Sequence, residues 1–191
     1  MKEDYTLENG DTVIFRHVKR SDVEGVWNNF NQVVEEGIYL PVFFPVKSHF
    51  EKQNWYDNLQ KANEICIVVE NKSLKRPFNI IGQCEISNVE WDAALHVGNL
   101  GIIVQEKYRD EGVGRKLIDI AIKESKKLLE KEKIILSCFS SNKRAKHLYE
   151  SIGFNTIGIR RKQFQIEDQY YDEVLMELFI DEYLESSNGG F

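Results

Sequence analysis

At 191 residues, with 42% hydrophobic and 12% aromatic side chains, the chain has the length of one domain and the apolar content to fill a core, which excludes disorder throughout. A formal net charge of -6 disfavours nucleic-acid binding through a basic face and reads either as plain solubility or as a surface suited to a cationic partner or substrate. Three widely spaced cysteines without a CxxC, and four histidines without HxxxH or HExxH spacing, argue against a disulfide scaffold and a metal site and fit a reducing, cytoplasmic compartment.

The opening run MKEDYTLENGD is polar and acidic, unlike a signal or transit peptide, and no later run has the apolar length a membrane helix needs. Thr12 to Val18 reads as a strand after the turn Asn9-Gly10. Ser21 and Asp22 then start a helix whose apolar stripe is Val23, Val26, Trp27, Phe30 and Val33 or Val34, and Gly37 stops it. Residues 38–46 form an apolar, proline-punctuated loop, and Ser48 to Gln60 a second helix with Phe50, Trp55 and Leu59 inward. Three strands follow, at Glu64–Glu70, Ile80–Asn88 and Leu95–Val104. From Gly112 to Glu130 the period becomes helical, with Val113, Leu117, Ile120, Ala121 and Leu128 on one face. Ile134–Phe139 is a short strand. Asn142 caps a helix carrying Ala145, Leu148, Tyr149 and Ile152, which ends at Gly153. Phe154–Phe164 and Tyr170–Phe179 are the last two strands. The expectation is an α+β fold: a mixed sheet of about seven strands flanked by about four helices. Residues 1–185 read as a single domain and 186–191 as a frayed tail.

The segment that points to chemistry is Ile102-Ile103-Val104-Gln105-Glu106-Lys107-Tyr108-Arg109-Asp110-Glu111-Gly112-Val113-Gly114-Arg115. A strand runs into a turn, and the turn opens a helix at two glycines. Free amides of a first helical turn converge on one small volume and suit an anion such as a pyrophosphate. A Walker loop is excluded because the spacing and the hydroxyl are missing. A dinucleotide fingerprint is excluded because Leu117 stands where the third glycine belongs.

Arg109-x-x-Gly112-x-Gly114 after a strand resembles the pyrophosphate motif of the GCN5-related N-acetyltransferase (GNAT) family. Asn142-x-x-Ala145-x-x-Leu148-Tyr149-Glu150-x-x-Gly153-Phe154 resembles that family's second signature, in the expected order. The resemblance covers residues 64–179 well and the two N-terminal helices loosely. It implies a GNAT fold in which acetyl-CoA, the co-substrate, lies between two splayed parallel strands, here Leu100–Val104 and Ile134–Phe139. Gly98 and Gly101 fit a bulge in the first of these. The resemblance also implies that backbone groups of Ile102, Ile103 and Val104 face the pantetheine arm or the oxyanion. The amides of Arg109, Asp110, Glu111, Gly112, Val113 and Gly114 would hold the pyrophosphate, with Arg115 adding charge. Asn142 and Ala145 would lie along the pantetheine, with Asn142 also able to cap its helix. Lys143, Arg144 and Lys146 either meet the 3′-phosphate or form a solvated helix face. Tyr149 matches the family's tyrosine that points at the leaving sulfur and is the candidate general acid, as against a packed aromatic on an amphipathic helix.

The acceptor side is less marked. The strand Leu136–Ser141 carries no carboxylate, so acetylation of a ribosomal N-terminus is not implied. Glu85 is the candidate general base, as against an exposed strand residue, with a water chain as the alternative to a dedicated base. Glu35, Glu36 and Tyr39, at the exit of the first helix, are candidates to receive a cationic amine, as against a solvated helix end. The expected activity is acetyl transfer from acetyl-CoA to a primary amine, on a small molecule or a peptide. The alternatives are a protein N-terminal or lysine acetyltransferase and a non-catalytic CoA sensor. The expected partners include a homodimer mate but neither nucleic acid nor membrane.

Overall fold

The computed structural model describes residues 1–188. Runs rich in isoleucine and valine make the middle of the sheet: β3 (Ile65–Asn71), β4 (Ile80–Asn88), β5 (Val97–Val104) and β6 (Lys133–Phe139). Around them stand β1 (Lys2–Thr6), β2 (Thr12–His17), β7 (Asn155–Ile166) and β8 (Gln169–Phe179). The order across the sheet is β1-β2-β3-β4-β5-β6-β8-β7. Every pairing is antiparallel except β5 with β6.

Alternation along the strands divides the interior in two. One face carries Ile65, Ile67, Cys84, Ile86 and Leu100, packed against Leu117, Ile118, Ala121 and Ile122 of α3 (Val113–Leu129). α4 (Lys143–Ile152) joins this cluster through Tyr149 and Ile152. The opposite face carries Cys66, Val68 and Ile80 beneath Val26 of α1 (Val23–Glu35) and Leu59 of α2 (His49–Lys61). Two expected core positions turn outward. Phe50, in the first turn of α2, is 74% exposed, and Leu128 is 49% exposed because Leu129 makes the inward contact at that end of α3.

The sheet has eight strands and the chain five helices among the described residues, one more of each than the sequence pattern announces. β1 lies in the acidic opening run. Tyr5 meets the edge of Phe15 on β2, and Glu3 pairs with Lys116 of α3 at 2.5 Å. α5 (Ile180–Asn188) is the other addition, fixed by buried Ile180 with Tyr183 and Leu184 against the core. Ser186 and Ser187, assigned above to a tail, belong to α5; residues 189–191 lie outside the described residues.

The parallel pair positions the site. β5 and β6 are in register only at Val97↔Lys133, Gly98↔Ile134 and Asn99↔Ile135, and then part. The closed end is held by the buried Lys131 ammonium, which donates to Asn88 Oδ1 at 2.6 Å, to the Leu95 carbonyl at 2.6 Å and to the Val97 carbonyl at 3.1 Å. No bulge opens β5: its register with β4 runs unshifted from Gly82↔Val104 to Asn88↔Gly98. Gly98 serves packing instead. A Cβ there would lie 2.5 Å from Ile86 Cγ2 and 3.0 Å from Ile134 Cδ1.

Candidate active site

Where β5 and β6 part, a cleft of about 450 Å³ opens. The outer half of β5 (Leu100–Val104) forms one wall, and Ser137 and Cys138 of β6 face it. The loop from Arg109 into α3 closes one end, and α4 contributes Asn142, Ala145, Leu148 and Tyr149. Gly112 caps α3 with φ +75°, a left-handed conformation that glycine adopts without strain. The first intrahelical backbone bond runs from the Lys116 amide to the Gly112 carbonyl, so the amides of Val113, Gly114 and Arg115 precede the helical ladder. These donors sit at the positive end of a 17-residue helix, which suits a polyanionic group. The lack of a side chain at Gly114 matters here: a Cβ would lie 3.2 Å from Leu148 Cδ2, on the cleft wall. A splayed strand, free amides and a glycine that puts no side chain on the cleft wall fit the extended, phosphate-bearing body of acetyl-CoA.

Eleven sequence-expected ligand positions line this cleft: Ile102, Ile103, Val104, Arg109, Asp110, Gly112, Gly114, Arg115, Asn142, Ala145 and Tyr149. Three do not. Val113 is buried in the core, Glu111 accepts from the Glu8 amide at 3.0 Å, and Lys146 pairs with Glu150 at 3.0 Å one turn along α4. Arg109 is present with a different role. Its amide donates to the Glu106 carbonyl at 3.1 Å rather than remaining free. Its guanidinium donates to the Val104 carbonyl at 2.8 Å and to both oxygens of Glu36, one at 2.6 Å. Asn142 acts as N-cap, its Oδ1 accepting from the Ala145 amide at 3.1 Å. Arg144 reaches the rim and pairs with Asp110 at 3.1 Å, and Arg115 donates to Ser151 Oγ at 2.5 Å. His147, Leu148 and Ser151 of α4 also line it, marked by the one-turn repeat from Arg144, as do Val33 of α1 and Tyr39 and Leu40 beyond its exit.

Tyr149 is 7% exposed, its ring edge-on to Phe154 at 5.9 Å between centroids. Burial, reinforced by nearby Cys138 and Cys84, pushes its phenol above the ordinary value. It therefore stays protonated at neutral pH, the state a general acid requires.

A second cleft, of about 280 Å³, lies on the face covered by α1 and α2. Trp27, Phe30 and Trp55 form aromatic walls, and Gln83, Glu85 and Ser87 of β4 form the floor. Glu85 Oε2 accepts from Trp55 Nε1 at 3.0 Å. Burial raises the Glu85 pKa; the Trp55 hydrogen bond opposes that and the charge of Glu64 adds to it. Opposite Glu85 across the β4–β5 pair stands Gly101, and nothing lies within 4 Å of where its Cβ would be. Gly101, Ile102, Ile103 and Leu40 line both clefts, so the two volumes meet at the outer half of β5.

The acceptor trio expected from sequence is not assembled there. Glu36 is taken by Arg109, Glu35 is exposed, and Tyr39 lines the large cleft beneath the Arg109 guanidinium at 4.8 Å. The walls of the small cleft come from Trp27, Phe30 and Trp55, whose helical spacing reads only as a core stripe. Among the described residues, no three His, Cys, Asp or Glu side chains converge as metal ligands. None of their helices is long and apolar enough to cross a membrane.

Comparison with known proteins bears on this geometry. The profile of the acetyltransferase (GNAT) family matches residues 35–154. The spermidine N(1)-acetyltransferase of Escherichia coli K12 is 26% identical over 181 residues, covering 93% of this chain and 91% of that one. The E. coli K12 ribosomal protein bS18-alanine N-acetyltransferase is 38% identical over 80 residues, 40% of this chain and only 51% of that enzyme. The crystal structure of Vibrio cholerae spermidine N-acetyltransferase with CoA and spermine superposes with a TM-score of 0.73 at 27% identity, covering 90% of this chain and 98% of that one.

Proposed function

The chain belongs to the acetyltransferase (GNAT) family, whose reaction is acetyl transfer from acetyl-CoA to an amine nitrogen, and from that premise we propose that the large cleft holds acetyl-CoA and the small cleft a cationic primary amine of the polyamine type. The observation that carries this reading is the junction at Gly101, where a carboxylate in an aromatic cleft faces the strand that walls the donor cleft. An aromatic box with one carboxylate suits an ammonium group through ion pairing and cation–π attraction. The full-length likeness to a spermidine acetyltransferase supports the same class.

In the proposed reaction Glu85 takes a proton from the ammonium, and the neutral nitrogen attacks the thioester carbon from the Gly101 side. A backbone N–H of Ile102 or Ile103 stabilises the growing oxyanion. As the C–N bond forms and the C–S bond breaks, Tyr149 gives its proton to the leaving thiolate, and the nitrogen's second proton passes through water to the Tyr149 phenolate, leaving a neutral amide, the CoA thiol and one proton on Glu85. Glu173 of β8, which pairs with Phe139 of β6, accepts from Ser137 at 2.6 Å and from Arg160 at 3.0 Å and lines neither cleft. Free, unpaired cysteines favour a reducing, cytoplasmic setting. The proposal includes a homodimer, favoured by the exposed Ile157 and Ile159 on the edge strand β7, and neither nucleic acid nor membrane as partner.

Glu85→Gln tests the assignment. Because a base works deprotonated, kcat/KM for the wild type should rise with pH through the raised Glu85 pKa. The variant should lose that limb and about 10²-fold in rate. An unaltered pH limb would transfer the base to water or another group.

A further inference from the structure

We propose that Arg109 is a positioning residue that couples the two clefts: through Glu36 and Tyr39 it holds the wall they share, so that a ligand in one tightens the ligand in the other. The proposal rests on the reading of the large cleft as the acetyl-CoA site and the small cleft as the acceptor site.

The shared wall is the segment between α1 and α2. It contains neither helix nor strand, and its Ile38, Phe43 and Phe44 are exposed. Leu40 of this segment lines both clefts, and its neighbour Tyr39 lines the large one. The far end is tied to α1 by Asn31, whose amide donates to the Val46 carbonyl at 2.9 Å and accepts from the Val46 amide at 2.8 Å. The near end is tied to the donor loop by Arg109. The guanidinium is anchored on the Val104 carbonyl at the open end of β5, grips Glu36 with both outer nitrogens, and lies over the Tyr39 ring at 4.8 Å. Its side chain is only 12% exposed and that of Glu36 only 21%. A planar fork in a partly dry site fixes orientation as well as distance, which a lysine cannot do.

This geometry explains why the Glu36 carboxylate is absent from the acceptor cleft: it acts on the wall. Acetyl-CoA in the large cleft packs on Tyr39 and Leu40 and removes freedom from the segment. The amine then meets a wall already ordered, so the second ligand spends less of its binding energy on ordering. Linkage makes the effect reciprocal. The coupling requires that the segment and the donor loop move as one piece, which is what the Arg109–Glu36 fork provides.

Calorimetry with CoA and spermidine as probes tests it. In the wild type, saturating CoA should lower the spermidine Kd by about 5- to 150-fold, the usual span of coupling between two sites. Glu36 lines neither cleft, so Glu36→Gln should leave the Kd for CoA alone within about threefold while bringing the spermidine ratio close to one. Arg109→Lys, which keeps the charge and loses the fork, should do the same to the ratio. A wild-type ratio of one, or an undiminished ratio in Glu36→Gln, would overturn the coupling and leave the cleft assignments standing. Equal weakening of spermidine in the CoA-free and CoA-bound variant would overturn it too, by making Glu36 a direct contact of the amine. A wild type that binds no CoA, or no spermidine in either state, would overturn the cleft reading and the coupling with it. Thermal melts of each variant without ligand separate these outcomes from a folding defect.

Discussion

The two clefts share the outer half of β5 and are built from different materials. The large one is mostly backbone: parted strands, the start of α3 and a glycine loop, with side chains serving largely as walls. The small one is nearly all side chain, three aromatic rings around a carboxylate. Backbone donors carry fixed partial charge, so the first site can hold its anion over a wide pH range. The second depends on Glu85, a group that titrates and whose pKa burial has moved. Donor binding and acceptor chemistry should therefore separate under mutation and under pH.

The sharpest separation is expected at Tyr149. Tyr149→Phe keeps the ring that packs on Phe154 and removes only the hydroxyl. It should lower kcat by about 10²–10⁴-fold while acetyl-CoA affinity stays put. Steady-state rates beside a binding isotherm check this, and full activity would return Tyr149 to a packing role. Gly114→Val attacks the other side. At about 100 times its Kd, acetyl-CoA should stabilise the wild type by roughly 2.7 kcal/mol. The valine, pressed between Leu148 and the phosphate space, should abolish most of that ligand-induced rise in melting temperature. An unchanged rise would move the pyrophosphate elsewhere.

Two glycines on one strand make a finer contrast. Gly98→Ala forces a methyl to 2.5 Å from Ile86 and should cost about 1–3 kcal/mol of stability in denaturant unfolding. Gly101→Val enters open space, so its unfolding midpoint should barely move. Its side chain instead fills the junction on the Glu85 face of the sheet, so the acceptor KM should rise by more than the Kd for acetyl-CoA. Equal stability losses at both positions would contradict the picture of one packed and one open glycine.

What could be read in the sequence follows the same division. The donor cleft is encoded locally. Glycines at 112 and 114, a cap at Asn142 and Tyr149 two turns later stand at fixed spacings within two short segments, and the fold keeps them together. The acceptor cleft joins Trp27, Trp55 and Glu85 from three elements, and helical periodicity marks such tryptophans as core without saying what they face. Arg109 was legible as a loop residue, but its fork on Glu36 spans 73 positions, and no local pattern encodes it. Glu36 accordingly looked like a free carboxylate. β1 was hidden because an edge strand can be charged: KEDYT carries its one inward contact on Tyr5.

The central claim is that this chain moves acetyl from acetyl-CoA in the backbone-built cleft to a cationic amine in the aromatic one. Thiol release from acetyl-CoA, measured across polyamines, amino acids and alanine-leading peptides, tests it directly. The account predicts turnover with the acceptors ranked by positive charge, polyamines first and acidic amino acids last. No thiol release with any amine, or fastest release with an anionic or peptide acceptor, would contradict it.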